Sequence, residues 1–126
     1  MAEKIKLSGV PETMLQTVYA RAKESTGRGV IQDKKALEII DELDYDFSLA
    51  DKDTAMRSGV IARTLVLDRL VGAWLAKNSG AVVVNIACGL DTRCYRMRGF
   101  SYWYNLDFLQ STAGTKRIFI NFCNSS

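Results

Sequence analysis

Gly89 and Asp107 are the residues of this sequence whose types and spacing first suggest chemistry. Gly89 lies in the run Ala87-Cys88-Gly89-Leu90-Asp91-Thr92-Arg93, directly after a β-branched segment, and Asp107 closes a second apolar segment 18 positions later. A nucleoside cofactor on an open α/β sheet asks for such a pair. A glycine after the first strand lets the ligand approach the backbone, and a carboxylate ending the adjacent strand accepts from ribose hydroxyls. The usual separation is about 20 residues. Of a G-x-G-x-x-G run only the middle glycine is present, with Ala87 and Thr92 in the other two places. This disfavours a dinucleotide, because pyrophosphate needs closer backbone approach than an aminoacyl group does. Spacing alone also leaves plainer roles open: a tight turn for Gly89 and a solvated strand end for Asp107.

Other chemistries are excluded by composition. The 126 residues contain no His, so neither a Ser-His or Cys-His nucleophile pair nor an imidazole metal site is available. The three cysteines, Cys88, Cys94 and Cys123, are odd in number and lack CxxC spacing. They predict neither a disulfide framework nor a zinc cluster, and a reducing cytoplasm is the simplest setting. The stretch Asp41–Asp53 is acidic, but without the Gly and terminal Glu of a calcium loop it reads as a solvated helix end and loop. No metal is expected. The net charge of +3 comes from scattered residues, which argues against a nucleic-acid groove. Neither a signal peptide nor a membrane span is expected, since no apolar run is long enough.

The elements that would position Gly89 and Asp107 follow from periodicity. Three helical segments are predicted first. One follows the Ser8–Pro11 lead-in and carries Met14, Leu15, Val18, Tyr19 and Ala22 up to the break at Ser25–Gly29. The second opens near Asp33 as N-cap and presents Ala36, Leu37, Ile40 and Leu43 on one face. The third runs from about Ala55 to Lys77, with Val60, Leu67, Val71, Trp74 and Leu75 as a core stripe, and ends at Gly80. Ala81–Ile86 is apolar on both faces except for Asn85, as in a central parallel strand covered on both sides. A short helical stretch through Arg98, a break at Gly99 and the strand Tyr102–Leu106 complete a strand–loop–crossover–strand unit. After Leu109 the pattern is less coherent, with a weak turn at Ser111–Thr115 and an exposed strand over Ile118–Phe122.

Four stretches together resemble the leucine carboxyl methyltransferase-like family of S-adenosylmethionine-dependent O-methyltransferases. They are Gly9–Met14 with Tyr19–Ala22; Asp44–Phe47; Arg57–Asp68 with its Ala62-Arg63; and Val84–Arg93 with Tyr95-Arg96, followed by Trp103–Phe108. The N-I-A-C-G-L-D-T-R loop is the specific element, and the resemblance covers about residues 8–108. It implies an α/β fold in which N-terminal helices precede the start of a Rossmann-like class I methyltransferase sheet. The corresponding segments are a helical cover over 1–80, the first strand–loop–strand over 81–108 and a divergent tail over 109–126. By matching positions, Arg63 pairs with the carboxylate of S-adenosylmethionine. Ala87 and Gly89 lie near the same aminoacyl group, and Asp107 meets the ribose. Asp91 and Arg93 match family residues that either touch ligand or brace the loop.

Two departures from the family pattern stand out. Ala87 replaces the usual first glycine of the loop. The resemblance also fades after Phe108, and with suitable codons one inserted nucleotide turns Phe108-Leu109-Gln110-Ser111 into Phe-Pro-Ala-Val, a family-like continuation. The tail is therefore read as out of frame and the chain as the N-terminal portion of a larger enzyme, inactive alone. No catalytic residue can be named, and the methyl acceptor, a small molecule or a protein C-terminus, is not legible. With strand faces and edges uncovered, self-association is expected. The competing functions are a non-catalytic interaction module or structural remnant, and a small dinucleotide-binding module.

Overall fold

The computed structural model describes residues 12–27, 29–110 and 116–123. The Ser8–Pro11 lead-in and the Ser111–Thr115 turn lie outside them. The order of elements is α1 (Glu12–Thr26), α2 (Lys34–Glu42), α3 (Ser48–Lys52), α4 (Thr54–Lys77), β1 (Ala81–Ile86), a 3-10 turn (Arg93–Arg96), β2 (Phe100–Gln110) and β3 (Lys116–Cys123). The chain divides within α4 into two compact units, Met1–Leu67 and Asp68–Ser126.

The first unit is helical. Leu15, Val18 and Ala22 of α1 are buried, as are Ala36 of α2 and Val60 and Ile61 of α4. Asp33 caps α2 as its sequence position predicts: Oδ1 accepts from the Ala36 N–H at 2.9 Å. Oδ2 accepts from Arg21 Nε at 3.1 Å, so one buried carboxylate ties α1 to the start of α2. The Asp33 N–H donates to Ser25 Oγ at 2.8 Å, a second link between the same helices. The acidic stretch is not simply a loop. Asp46 accepts from the Ser48 N–H and Asp53 from the Met56 N–H, so these acids start α3 and α4. Phe47, between them, stacks on Tyr19 with ring centroids 4.6 Å apart. Burial, together with a hydrogen bond to Asp51, pushes the Tyr19 phenol up to about 12.

The second unit is a three-stranded mixed sheet in the order β1-β2-β3. β1 pairs with β2 in parallel, and β2 pairs with β3 antiparallel. At the start of β2 the register shifts, Ala81 facing Phe100 but Val82 facing Tyr102. That extra residue lets Phe100 and Trp103, three positions apart, turn to the same side. They meet edge to face at 5.4 Å and join Leu75, Cys94 and Cys123 in the core, flanked by Val71, Ala81, Val83 and Met97.

Several expectations need correction here. Trp74 is 53% exposed, because Val71 and Leu75, one turn apart, are the α4 residues that reach the sheet. β1 is covered on one face only, its burial alternating along the strand. Cys94 and Cys123 form a disulfide, and Cys88 is free. An odd count excludes complete pairing but not one pair, and the register of Trp103 against Cys123 brings β3 alongside the 3-10 turn. The tail's strand exists and pairs over its full length with β2. None of the helices among the described residues is long and apolar enough to cross a membrane.

Candidate cofactor site

The parallel register sets the stage. Ile86 lies beside Leu106, so β1 ends one residue short of the level of Asp107 and the chain turns there. The turn needs two left-handed residues, Ala87 with φ 56° and Gly89 with φ 54°. Glycine adopts this conformation freely, whereas an alanine Cβ crowds the following carbonyl and costs about 1–2 kcal/mol. The first glycine of the loop is thus missing where the backbone most favours one.

Two hydrogen bonds bind the turned loop to β2 just past its last pair with β1. The Cys88 N–H donates to Leu106 O at 3.1 Å, continuing the ladder past β1. The Gly89 N–H donates to Asp107 Oδ2 at 2.5 Å. Asp107 Oδ1 accepts from the Phe108 N–H at 2.7 Å. Gly89 and Asp107, paired on sequence spacing, are therefore in direct contact. Cys88, the residue before Gly89, is half-buried. Burial, reinforced by the negative charges of Asp107 and Asp91, pushes its thiol above the usual range, which keeps it protonated and weakly nucleophilic at neutral pH.

The far side of the loop is held by charge. Asp91 Oδ1 accepts from the Arg93 N–H at 3.0 Å, and Oδ2 accepts from Arg93 Nη1 at 3.0 Å and Asn85 Nδ2 at 2.8 Å. Arg93 Nε reaches Asp68 Oδ1 at 2.9 Å, while Arg96 forks onto both oxygens of Asp68 at 2.8 and 3.1 Å. Asp68 thus clamps two arginines of the 3-10 turn, and Arg96 also donates to Thr92 Oγ1 at 2.9 Å. Beneath the loop, Asn85 Nδ2 and Trp103 Nε1 both donate to Asn105 Oδ1, at 3.2 and 2.9 Å. Asn105 is buried, and this chain of amides aligns β1 with β2.

Asp68, Asn105 and Thr92 do not stand out in the linear sequence. A polar residue in an otherwise apolar strand was the available signal for Asn105. Asp68 gave none, since an aspartate on a helix looks like any solvated acid. Arg63 belongs to the first unit, where its side chain is exposed on α4.

S-adenosylmethionine, suggested by the sequence, can be tested against these donors and acceptors. An ionised carboxylate offers about four lone-pair positions. Two of those on Asp107 are taken by backbone N–H groups, leaving acceptor capacity for a ribose diol. Asp107 is also only partly buried and lies just past the carboxyl end of the parallel pairing, the place where open α/β sheets take their ligands. β2 does not end there as the sequence suggested but runs on to Gln110 beside β3. The residues present fit the nucleoside part of the cofactor.

A parallel strand pair with a glycine loop and an acid just past the paired segment is the arrangement that α/β proteins with nucleoside cofactors share. Comparison with known proteins then fixes the family. The family model for leucine carboxyl methyltransferase matches residues 14–110, and the chain belongs to that family. The chain is 43% identical over 98 residues to the tetracenomycin polyketide synthesis O-methyltransferase TcmP of Streptomyces glaucescens, covering 77% of this chain and 36% of that protein. It is 32% identical over 104 residues to the S-adenosyl-L-methionine-dependent methyltransferase dpfgK of Gibberella zeae, covering 75% of this chain and 35% of that protein. The chain thus spans about a third of the length of these relatives. No solved structure matches it significantly. β3 lies beyond the matched residues.

Proposed function

We propose that this chain is the cofactor-binding portion of an S-adenosylmethionine-dependent O-methyltransferase acting on a carboxyl or hydroxyl group. The observation that carries this reading is the Gly89–Asp107 contact just past the carboxyl end of the parallel pairing between β1 and β2. Asp107 accepts from the ribose hydroxyls, and the backbone of Ala87 and Gly89 lies along the aminoacyl end. Arg63 offers a guanidinium fork suited to the cofactor's carboxylate. Asp91 and Arg93 fix the loop's shape through the bonds they make within it and to Asp68. The cofactor, when bound, supplies a methyl group activated on sulfonium, so the protein's task is mainly orientation. A carboxylate acceptor is already nucleophilic and needs no base, which suits a chain without His. Turnover is assigned to the complete length of the relatives and cofactor binding to this third of it.

Calorimetric titration with S-adenosylmethionine and with its demethylated product tests the reading. Wild-type chain should bind both, and Asp107→Ala should weaken binding about 10–100-fold, the loss expected for hydrogen bonds to a charged acceptor. Absence of binding by the wild-type chain favours a structural remnant, whereas preference for NAD favours a dinucleotide module.

A further inference from the structure

The sheet of the second unit has one covered and one open face, and the open face is apolar up to Phe108, beyond which the register brings Gln110 opposite Lys116. Val82, Val84 and Ile86 of β1 lie beside Tyr102, Tyr104 and Leu106 of β2. Tyr104 and Leu106 in turn face Phe122 and Ile120 of β3. Directly opposed residues project to the same side of a sheet, so these side chains form one continuous surface with Phe108 at its end. Val82, Val84, Ile86, Tyr102, Phe108, Ile120 and Phe122 are each more than half exposed. The aromatic members are already ordered against one another, Tyr102 on Tyr104 at 6.3 Å and Tyr104 against Phe122 at 5.2 Å.

We propose that this face is a homodimer interface, formed by packing the open sheet face of one copy against that of a second copy. Two features select a second copy as the occupant. The first is area: these side chains present on the order of 800 Å², about what each partner contributes to a stable interface and more than monomers usually leave exposed. The second is charge. The nine positions just named include no ionised side chain, and the nearest charge on that face, at Lys116, falls past Phe108 at its far end, so juxtaposing the nine with themselves brings no like charges together. Two-fold apposition of identical faces is closed, and aligned sheets stack about 10 Å apart with side chains interleaved. The assembly therefore stops at two copies.

Sedimentation equilibrium of the full chain tests this, with far-UV circular dichroism as the check on folding. Wild-type chain should have twice the 14.1 kDa monomer mass at micromolar concentration. Val84→Lys puts a charge into the apolar face of each copy and should weaken the dimer at least about 100-fold. Val66→Lys adds the same charge at an exposed helix position and should leave the dimer intact. Should Val84→Lys lose the wild-type dichroism spectrum, Ile86→Thr keeps β-branching at the most exposed position of the face and should still weaken association measurably. A monomeric wild-type chain, an open ladder of oligomers, or a dimer indifferent to the face substitutions would each overturn the proposal. So would a monomer that forms a mixed complex with the unmatched portion of the Streptomyces glaucescens relative, which would assign the face to that portion.

Discussion

Each unit of the molecule contains an arginine–aspartate centre, and the two serve opposite ends. In the helical unit, Arg21 and Asp33 are almost completely buried and meet at 3.1 Å, while Asp33 also caps a helix. In the sheet unit, Asp68 is partly exposed and holds two guanidinium groups through three bonds of 2.8–3.1 Å. The first centre joins two helices where no ligand chemistry is in view. The second shapes a loop whose other side presents Gly89 and Asp107. Burial separates the roles better than residue type does: a fully enclosed pair locks packing, and a half-enclosed network can hold a binding loop in shape while staying within reach of solvent.

That contrast makes Asp33 the more costly residue to lose. Asp33→Ala leaves a buried guanidinium without this partner and removes the α2 cap, and should destabilise the first unit by about 3–5 kcal/mol. A loss of unfolding free energy below about 1 kcal/mol in denaturant titration would show that the two centres are energetically alike. Asp68→Asn should cost less, about 1–3 kcal/mol, because water can reach the released arginines. Its more telling effect should fall on the loop, as faster amide exchange at Gly89 and Asp91, with α1 and α2 unchanged. Equal loss of protection in both units would dissolve the division between them. The smallest effect concerns Ala87. Ala87→Gly relieves a left-handed alanine at the price of greater unfolded-chain entropy, for a net gain of about 1 kcal/mol. Gly89→Ala, at a similar φ, should lose a comparable amount. If both substitutions destabilise, the positive φ at residue 87 is not the governing feature of the loop.

Much of this arrangement was legible because it is local. The Asp33 cap, the Gly80 stop, the strand Ala81–Ile86 and the spacing from Gly89 to Asp107 are all set by near neighbours and by backbone preference, and they emerge as expected. The short helix α3 was hidden because its starting aspartates look the same in a cap and in a solvated loop. Features that depend on distant partners were also illegible. Nothing around Asp68 announces Arg93 and Arg96, 25 and 28 residues away. Cys94 and Cys123 are brought together by strand register rather than by spacing. Trp74 shows the limit of periodicity itself: a stripe drawn wide enough to include it also includes positions that the helix turns toward solvent.

The antiparallel partner of β2 also bears on the order in which the sheet is made. β2 and β3 are near neighbours in sequence and pair from Gln110↔Lys116 to Trp103↔Cys123, a hairpin whose closure belongs to the microsecond range. β1 must instead wait for a crossover that brings Ala81 beside Phe100, a more distant and slower closure. The strand bearing Asp107 is then templated first by the tail that follows it and only afterwards by β1. A segment beyond the family match would thereby govern the kinetics by which the family's own motif takes shape.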